Sequence, residues 1–429
     1  MDNTIFFERF GLNPDNFVNR HYEKVSTDEG LIYEVEEQYR PRLCPYCHGH
    51  FMYVHSRRWI TRRLTSQINL KEELRIQRIR YKCPSCQKTH TFALEGLPRK
   101  KAISSQVIRS IELEFYTIQS FSDIANRYNV SVQTVINIFD EATKIVPRRE
   151  LPEYLCIDEK HFEGNTTGKY CVILSDFFSG EVIDVIEDRQ MAYLQDYFES
   201  ISIEERKNVK VLISDMYEGY SSIKDKYFPK AMLVIDLFHV VKLLSTAVNK
   251  LRIRTYNQIA IEDTVERHFL KTNWKIFLYD QHKINKEIYH SKKFDVYISY
   301  GKIILSCLKM NQSFWDGYNI LQEIIHYDRY ASFEESLKFI DRIIVKLNTS
   351  GEELLEKVAA SYKKWRVGIA NGLAKNQTKR RFSNSIAENN NSHIQRVIDV
   401  AYGYRNFKRF RARIMLLLTY KKGKVMPYW

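Results

Sequence analysis

YLCIDEKHF, Tyr154–Phe162, climbs through mostly apolar residues and then sets two carboxylates, Asp158 and Glu159, side by side. A short apolar run that starts just after Pro152 reads as a buried strand. Four β-rich runs follow it: KYCVILSDF, GEVIDVIE, VKVLISD and AMLVIDLF. MAYLQDYFESI lies before VKVLISD and YSSIKDKYF after it, both with helical spacing. Strands followed by strand–helix–strand–helix predict an α/β domain whose later strands are parallel. Three apolar stretches, YLCID, VKVLISD and AMLVID, close on an acid, at Asp158, Asp215 and Asp236. A buried unpaired carboxylate is costly, whereas a set of them can hold a divalent cation such as Mg²⁺. Taken singly, each Asp is more often a turn residue or helix cap. Strand neighbours point to opposite faces, so only Asp158 of the adjacent pair shares the Cys156 face.

The 429 residues are 44% hydrophobic and 13% aromatic, enough for two to four domains with real cores and too apolar for a disordered chain. Lys and Arg outnumber Asp and Glu by 66 to 52, giving +14 and favouring a polyanionic partner. No apolar run approaches the roughly 18 residues of a membrane span, and MDNTIFFERF lacks the pattern of a signal peptide. The expectation is a cytoplasmic protein without membrane contact. Seven cysteines in such a chain argue for metal binding or free thiols over a disulfide framework.

Working outward toward the N-terminus, residues 99–150 contain FSDIANRYNVSVQTVINIFDEA, two short helices around a tight turn. Ile124, Ala125 and Tyr128 form one packing face, and Val135, Ile136 and Phe139 the other. Asn129 suits a left-handed turn and Ser131 an N-cap. That is the pattern of a helix-turn-helix, which leaves Gln133, Thr134 and Asn137 to face a DNA groove. Any three-helix packing gives similar spacing. Before it, residues 41–98 carry CPYC (Cys44, Cys47) and CPSC (Cys83, Cys86). Two such knuckles supply the four thiolates of a tetrahedral structural Zn²⁺ site, the alternatives being redox-active or unligated cysteines. Arg57, Arg58, Arg62, Arg63, Arg75, Arg78 and Arg80 make this ribbon basic. Residues 1–40 show no clear period and read as an adapter segment.

Toward the C-terminus, residues 241–375 keep a helical, basic, aromatic texture almost without Gly or Pro. SNSIAENNN then places Glu388 on one polar helix face with Asn391, Ser392 and Gln395. Asn is a poor helix former, so three in a row need a reason beyond exposure. In YGYRNFKRFRAR, Phe407 and Phe410 continue into an apolar stripe with Ile414 and Leu417, which puts the arginines, among them Arg405, Arg409 and Arg413, on the exposed side.

The order of zinc ribbon, helix-turn-helix, IDE-bearing strand, ISD-bearing strand, DLFHVVKLL, SNSIAEN and YGYRNF resembles the DDE transposases of bacterial insertion sequences, specifically the ISL-three (ISL3) family. The resemblance runs from about residue 40 to 420. It implies a multidomain α+β chain with a ribonuclease-H-like α/β catalytic core in two parts, 151–240 and 376–429, interrupted by an all-helical insertion at 241–375. It implies catalysis by Asp158, Asp215 and Glu388 holding two Mg²⁺ or Mn²⁺ ions, with Asp236 and His239 of the DxxH in support. Asp236 as a plain cap of the next helix is the competing reading. Lys242, Arg252, Arg254 and Lys379 to Arg381 are candidates for meeting phosphate. The implied partners are double-stranded DNA, as terminal inverted repeats and target, and further copies of the chain in a synaptic complex on the bacterial nucleoid. A non-catalytic DNA-binding regulator derived from such an enzyme is the alternative.

Overall fold

Apolar period sets the elements, alternating in the strands and recurring at three and four residues in the helices. The computed structural model describes residues 4–9, 11–27, 30–67, 70–97, 103–162, 168–259, 264–285, 287–375, 382 and 385–420, without the side chains of 9, 65–67, 70–71 and 385–388. In chain order these form α1 (Thr4–Arg9), β1 (Glu23–Thr27), β2 (Gly30–Glu36), β3 (Tyr53–Gln67), β4 (Leu70–Lys82) and β5 (Thr89–His90). Helices α2 (Ser105–Glu114), α3 (Phe121–Arg127) and α4 (Val132–Ala142) come next. The α/β part comprises β6 (Tyr154–His161), β7 (Tyr170–Asp176), β8 (Val182–Ile186), α5 (Met191–Glu199), α6 (Ile203–Lys207), β9 (Val211–Ser214), α7 (Glu218–Tyr227) and β10 (Met232–Ile235). The rest is α8 (Leu237–Gln258), α9 (Val265–Thr272), β11 (Tyr289–Ser291), β12 (Val296–Ile298), α10 (Tyr300–Leu308), α11 (Gln312–Ile325), α12 (Phe333–Asn348), α13 (Glu353–Leu373), α14 (Ser385–Val400) and α15 (Phe407–Leu418). The chain divides into two compact units, one of residues 1–147 with 394–429, the other of residues 148–393.

In the first unit the sheet order is β1-β2-β4-β3, with β5 on β4. The segment read as an adapter therefore supplies two strands, β2 running parallel to β4. Their alternation was hidden because it lasts only a few residues beside the acidic DEG. Strand β4 serves two small cores on its two faces. Leu74 and Ile76 pack with Phe7, Phe17 and Val35, while Ile79 and Tyr81 pack with Cys44, Met52 and Cys83. Arg78 is buried because Glu37 meets its Nε at 2.7 Å and the Phe92 carbonyl accepts another of its N–H groups.

Helices α2 to α4 bury Ile111, Phe115, Ile124, Ala125, Val135, Ile138 and Phe139. Ile138, rather than Ile136, completes the inner face of α4. Ser131 caps α4 by accepting from the Thr134 N–H at 3.1 Å, and Asn129 takes the left-handed turn at φ 48°. Helix α15 packs in this same unit. Arg413, only 1% exposed, donates to the carbonyls of Phe115, Thr117 and Gln119 at 2.7, 2.9 and 2.9 Å. The last turn of α2 and the loop after it would otherwise leave those acceptors open. Arg413 thus sits inside, not on the exposed side its spacing predicts.

In the second unit the sheet order is β10-β9-β6-β7-β8. Strands β10, β9 and β6 are parallel, whereas β7 and β8 are antiparallel. One face buries Leu155, Ile157 and Leu212 against Leu194 and Phe198 of α5 and Tyr220 and Ile223 of α7. The other buries Cys156, Val211, Ile213 and Val234 with Phe177 and Phe382. Helices α8 to α13 build a larger core, from Val240 through Leu373, which Ile235 of β10 joins. This stretch, expected to be all-helical, also carries the β11–β12 hairpin, turned with Asp295 at φ 52°. Helix α13 crosses β10 so closely that a Cβ on Gly372 would lie 2.5 Å from the Ile235 carbonyl oxygen.

Candidate active site

Strand register builds the site. Cys156 pairs with Ile213 and Ser214 with Ile235, so continuing each pairing sets Asp158 level with Asp215 and Asp215 level with Asp236. Three acids thus stand at one level, Asp215 and Asp236 just past the ends of β9 and β10 and Asp158 midway along β6, which runs on to His161 in pairing with β7 instead of ending at the acid. Burial and like charge both act on the protonation of Asp158 and Asp215. Burial pushes the Asp158 carboxyl up to about 7; Asp215, Asp236 and Glu159 add to the rise, while a bond from the Glu159 N–H opposes it. Burial likewise raises Asp215 to about 6, with Glu159 and Asp236 adding and the Tyr217 N–H and Arg189 opposing.

Helix α14 docks onto this edge through its asparagines. The Asn391 amide donates to Asp158 Oδ2 at 2.7 Å and to the Glu159 carbonyl at 3.4 Å. Asn390, 6% exposed, donates to Ser175 Oγ and the Gly180 carbonyl, both at 3.0 Å. These contacts supply the reason that a run of Asn in a helix requires. Asn390 was missed because nothing local marks its distant partners. Position 388 lies one turn before Asn391 on the same helix; the Glu388 side chain is outside the described residues, as are Lys379 to Arg381.

Glu159 has a separate task. It faces the Ile157 side, where Arg189 Nη1 holds Oε2 at 2.7 Å and the Tyr220 hydroxyl donates to Oε1 at 3.1 Å. Asp236 caps α8, accepting from the Phe238 N–H at 3.3 Å, and His239 Nε2 stands 4.0 Å from its other oxygen. Among the described residues, Asp215 Oδ1 and Asn391 Oδ1 are buried without a hydrogen-bond partner. Paired acids with raised affinity for protons and an oxygen left open suit a hard divalent cation.

The four ribbon thiols converge. Cys44 and Cys86 Sγ are 3.6 Å apart, as are Cys47 and Cys83 Sγ, and all four lie within 4.8 Å. Tetrahedral Zn–S bonds of about 2.3 Å require sulfurs roughly 3.8 Å apart, so the group fits zinc. The knuckles are alike: His48 and Gln87 adopt φ 55° and 59° and donate backbone N–H bonds to the Cys44 and Cys83 carbonyls at 3.0 and 3.2 Å.

In the first unit, Gln133 and Asn137 are exposed on α4 and bonded to each other at 2.8 Å, while Thr134 shares its hydroxyl with Ser131. Arg405 is exposed, but Arg409 forks onto Asp140 with two 2.7 Å bonds. In the second unit Lys242 is exposed. Arg252, by contrast, is buried against the Leu270 carbonyl and Asn249, and Arg254 pairs with Glu352 at 2.7 Å. Those two arginines are engaged within the fold.

A family model described as transposase, the DDE type of ISL3 elements, matches residues 155–414. The transposase for insertion sequence element IS1001 of Bordetella parapertussis is 21% identical over 375 residues, covering 87% of each chain. Among the described residues no helix is long and apolar enough to cross a membrane. With the match spanning the sheet of the second unit, the helical segment and most of the two C-terminal helices, the chain belongs to the ISL3 family of DDE transposases.

Proposed function

We propose that this transposase binds the inverted repeats at the ends of its element and performs metal-dependent DNA cleavage and strand transfer with Asp158, Asp215 and Glu388. The observation that carries the reading is Asn391 bonded to Asp158, which brings the helix bearing position 388 to the strand edge where Asp158 and Asp215 are level. The sheet order, three parallel strands extended by two antiparallel ones, supports a ribonuclease-H-like core, with residues 241–375 inserted between its two parts. Asp236 and His239 would steady this edge from the start of α8.

Mg²⁺ or Mn²⁺ held by the three carboxylates would supply charge neutralisation and an activated oxygen nucleophile for in-line displacement at phosphorus. Asp158 and Asp215 present oxygens at a fixed level, and the unmet Asp215 Oδ1 is free to serve as a ligand. Asn391 fixes the Asp158 rotamer, and Arg189 with Tyr220 keeps Glu159 turned to the opposite face. The first unit supplies DNA recognition, through Gln133, Thr134 and Asn137 of α4 and Arg405, with a zinc-held ribbon beside them in sequence. Arg409 serves recognition by fixing α15 to Asp140. The partners are double-stranded DNA in the cytoplasm and other copies of the chain within a synaptic complex.

Cleavage and strand transfer on the repeats flanking the gene test this directly. Asp158→Asn, Asp215→Asn and Glu388→Gln should each reduce both steps to background while repeat binding persists. Full activity in all three variants would refute the assignment, and absence of any Mg²⁺- or Mn²⁺-dependent cleavage by the wild type would leave only a DNA-binding regulator.

A further inference from the structure

A second cluster of ligating side chains lies in the helical part of the second unit, away in sequence from both metal sets above. Asp280, His282 and His326 bring one ligand atom each within 4.8 Å of one another. His326 ends α11, and Asp280 and His282 sit on the turn at 280–283. Asp280 Oδ1 lies 3.1 Å from His326 Nε2 and also accepts from the His282 N–H at 2.8 Å. The two imidazole rings lie against each other at a tilt of 33°, with centroids 4.0 Å apart.

The turn is held from behind. Gln322, 4% exposed and one turn before His326, accepts from the Gln281 N–H at 3.0 Å and donates to the Tyr279 carbonyl at 2.9 Å. One buried amide thus grips the residues on both sides of Asp280. An Asp–His pair accounts for Asp280 and His326, but not for the exposed second imidazole laid against the first. Two neutral imidazoles and a carboxylate converging on one point are a donor set for a late first-row ion such as Zn²⁺. Bonds of about 2.0–2.1 Å to a tetrahedral ion need ligand atoms roughly 3.4 Å apart; Asp280 Oδ1 and His326 Nε2 lie 3.1 Å apart, and the exposed His282 ring is within 4.8 Å of both and can turn inward.

We propose that Asp280, His282 and His326 form a second zinc site, completed by water, which fastens the turn at 280–283 to the end of α11. The test is zinc content of the full chain after gel filtration from buffer with excess Mg²⁺, which keeps the carboxylates of the strand edge from retaining zinc. The wild type should carry two zinc ions per chain, and His282→Ala and His326→Ala one each. His282 is exposed, so His282→Ala tests the site without burdening the fold. The Co²⁺-loaded wild type should show a thiolate charge-transfer band from the ribbon that His282→Ala leaves unchanged, while the variant loses one Co²⁺ per chain. One zinc in the wild type, or equal content in wild type and His282→Ala, would overturn the proposal.

Discussion

Replacing Asp158 by Asn should make the protein more stable without Mg²⁺, and by an amount that depends on pH. The Asp158 carboxyl rises from an ordinary 3.8 to about 7 because it is buried beside other acids. A group with a raised folded value takes up a proton on folding, so stability falls as pH climbs from about 3.8 to about 7. From these two values, the shifted Asp158 carboxyl costs about 4 kcal/mol at pH 8, where it is ionised, and under about 2 kcal/mol at pH 5, where the folded protein holds it protonated. Asn removes that cost but loses charge-assisted bonds from Asn391 and the Glu159 N–H, which returns about 1–2 kcal/mol. The net gain is about 2–3 kcal/mol at pH 8 and close to zero at pH 5. For a unit of this size, that is about 5–10 °C in the pH 8 melting temperature. Scanning calorimetry in Mg²⁺-free buffer, with the ribbon zinc retained, measures it. Adding Mn²⁺ at pH 8 should then stabilise the wild type and leave Asp158→Asn unmoved. Equal melting temperatures at pH 8, or a gain equally large at pH 5, would refute the reasoning.

Gly372→Ala should destabilise the second unit by about 1–3 kcal/mol, because the new methyl meets the backbone oxygen of Ile235 instead of a side chain that can turn away. As Ile235 precedes Asp236, the same substitution should lower cleavage more than repeat binding in parallel assays. Arg413→Met should lower the denaturation midpoint of the first unit by about 3 kcal/mol or more, leaving three carbonyls without donors, and should weaken repeat binding with it. Arg405→Ala should change stability by less than about 0.5 kcal/mol; binding loss without stability loss in gel-shift and melting experiments marks it as a contact to DNA.

Asp215 and Asp236 were legible as strand-end acids because each closes a short apolar run, whereas Asp158 lies midway along a strand that continues through polar residues to His161; period-two alternation alone separates it from Glu159. The two CxxC pairs, the Ser131 cap and the left-handed Asn129 were legible because chemistry within a few residues dictates them. What escaped depends on partners far away in the chain. Arg413 has an amphipathic helix's spacing and belongs with the exposed arginines until the carbonyls at 115, 117 and 119 come into view. Arg252 and Arg254 likewise look like phosphate ligands until Leu270 and Glu352 are placed beside them. Parallel pairing of β2 with β4 joins Gly30 to Lys71 across the whole ribbon, a register that no local pattern encodes.

The anchoring of α15 by Arg413 has a consequence for the order of synthesis. The three helices at 105–142 leave the ribosome early, yet the donor that closes the end of α2 is made only after the whole of residues 148–393. A nascent chain therefore folds its second unit while the first still lacks a wall, and protease protection of residues 105–142 should rise late in translation. A chain stalled before residue 413 would carry the strand-edge acids but a first unit with its α2 end still open.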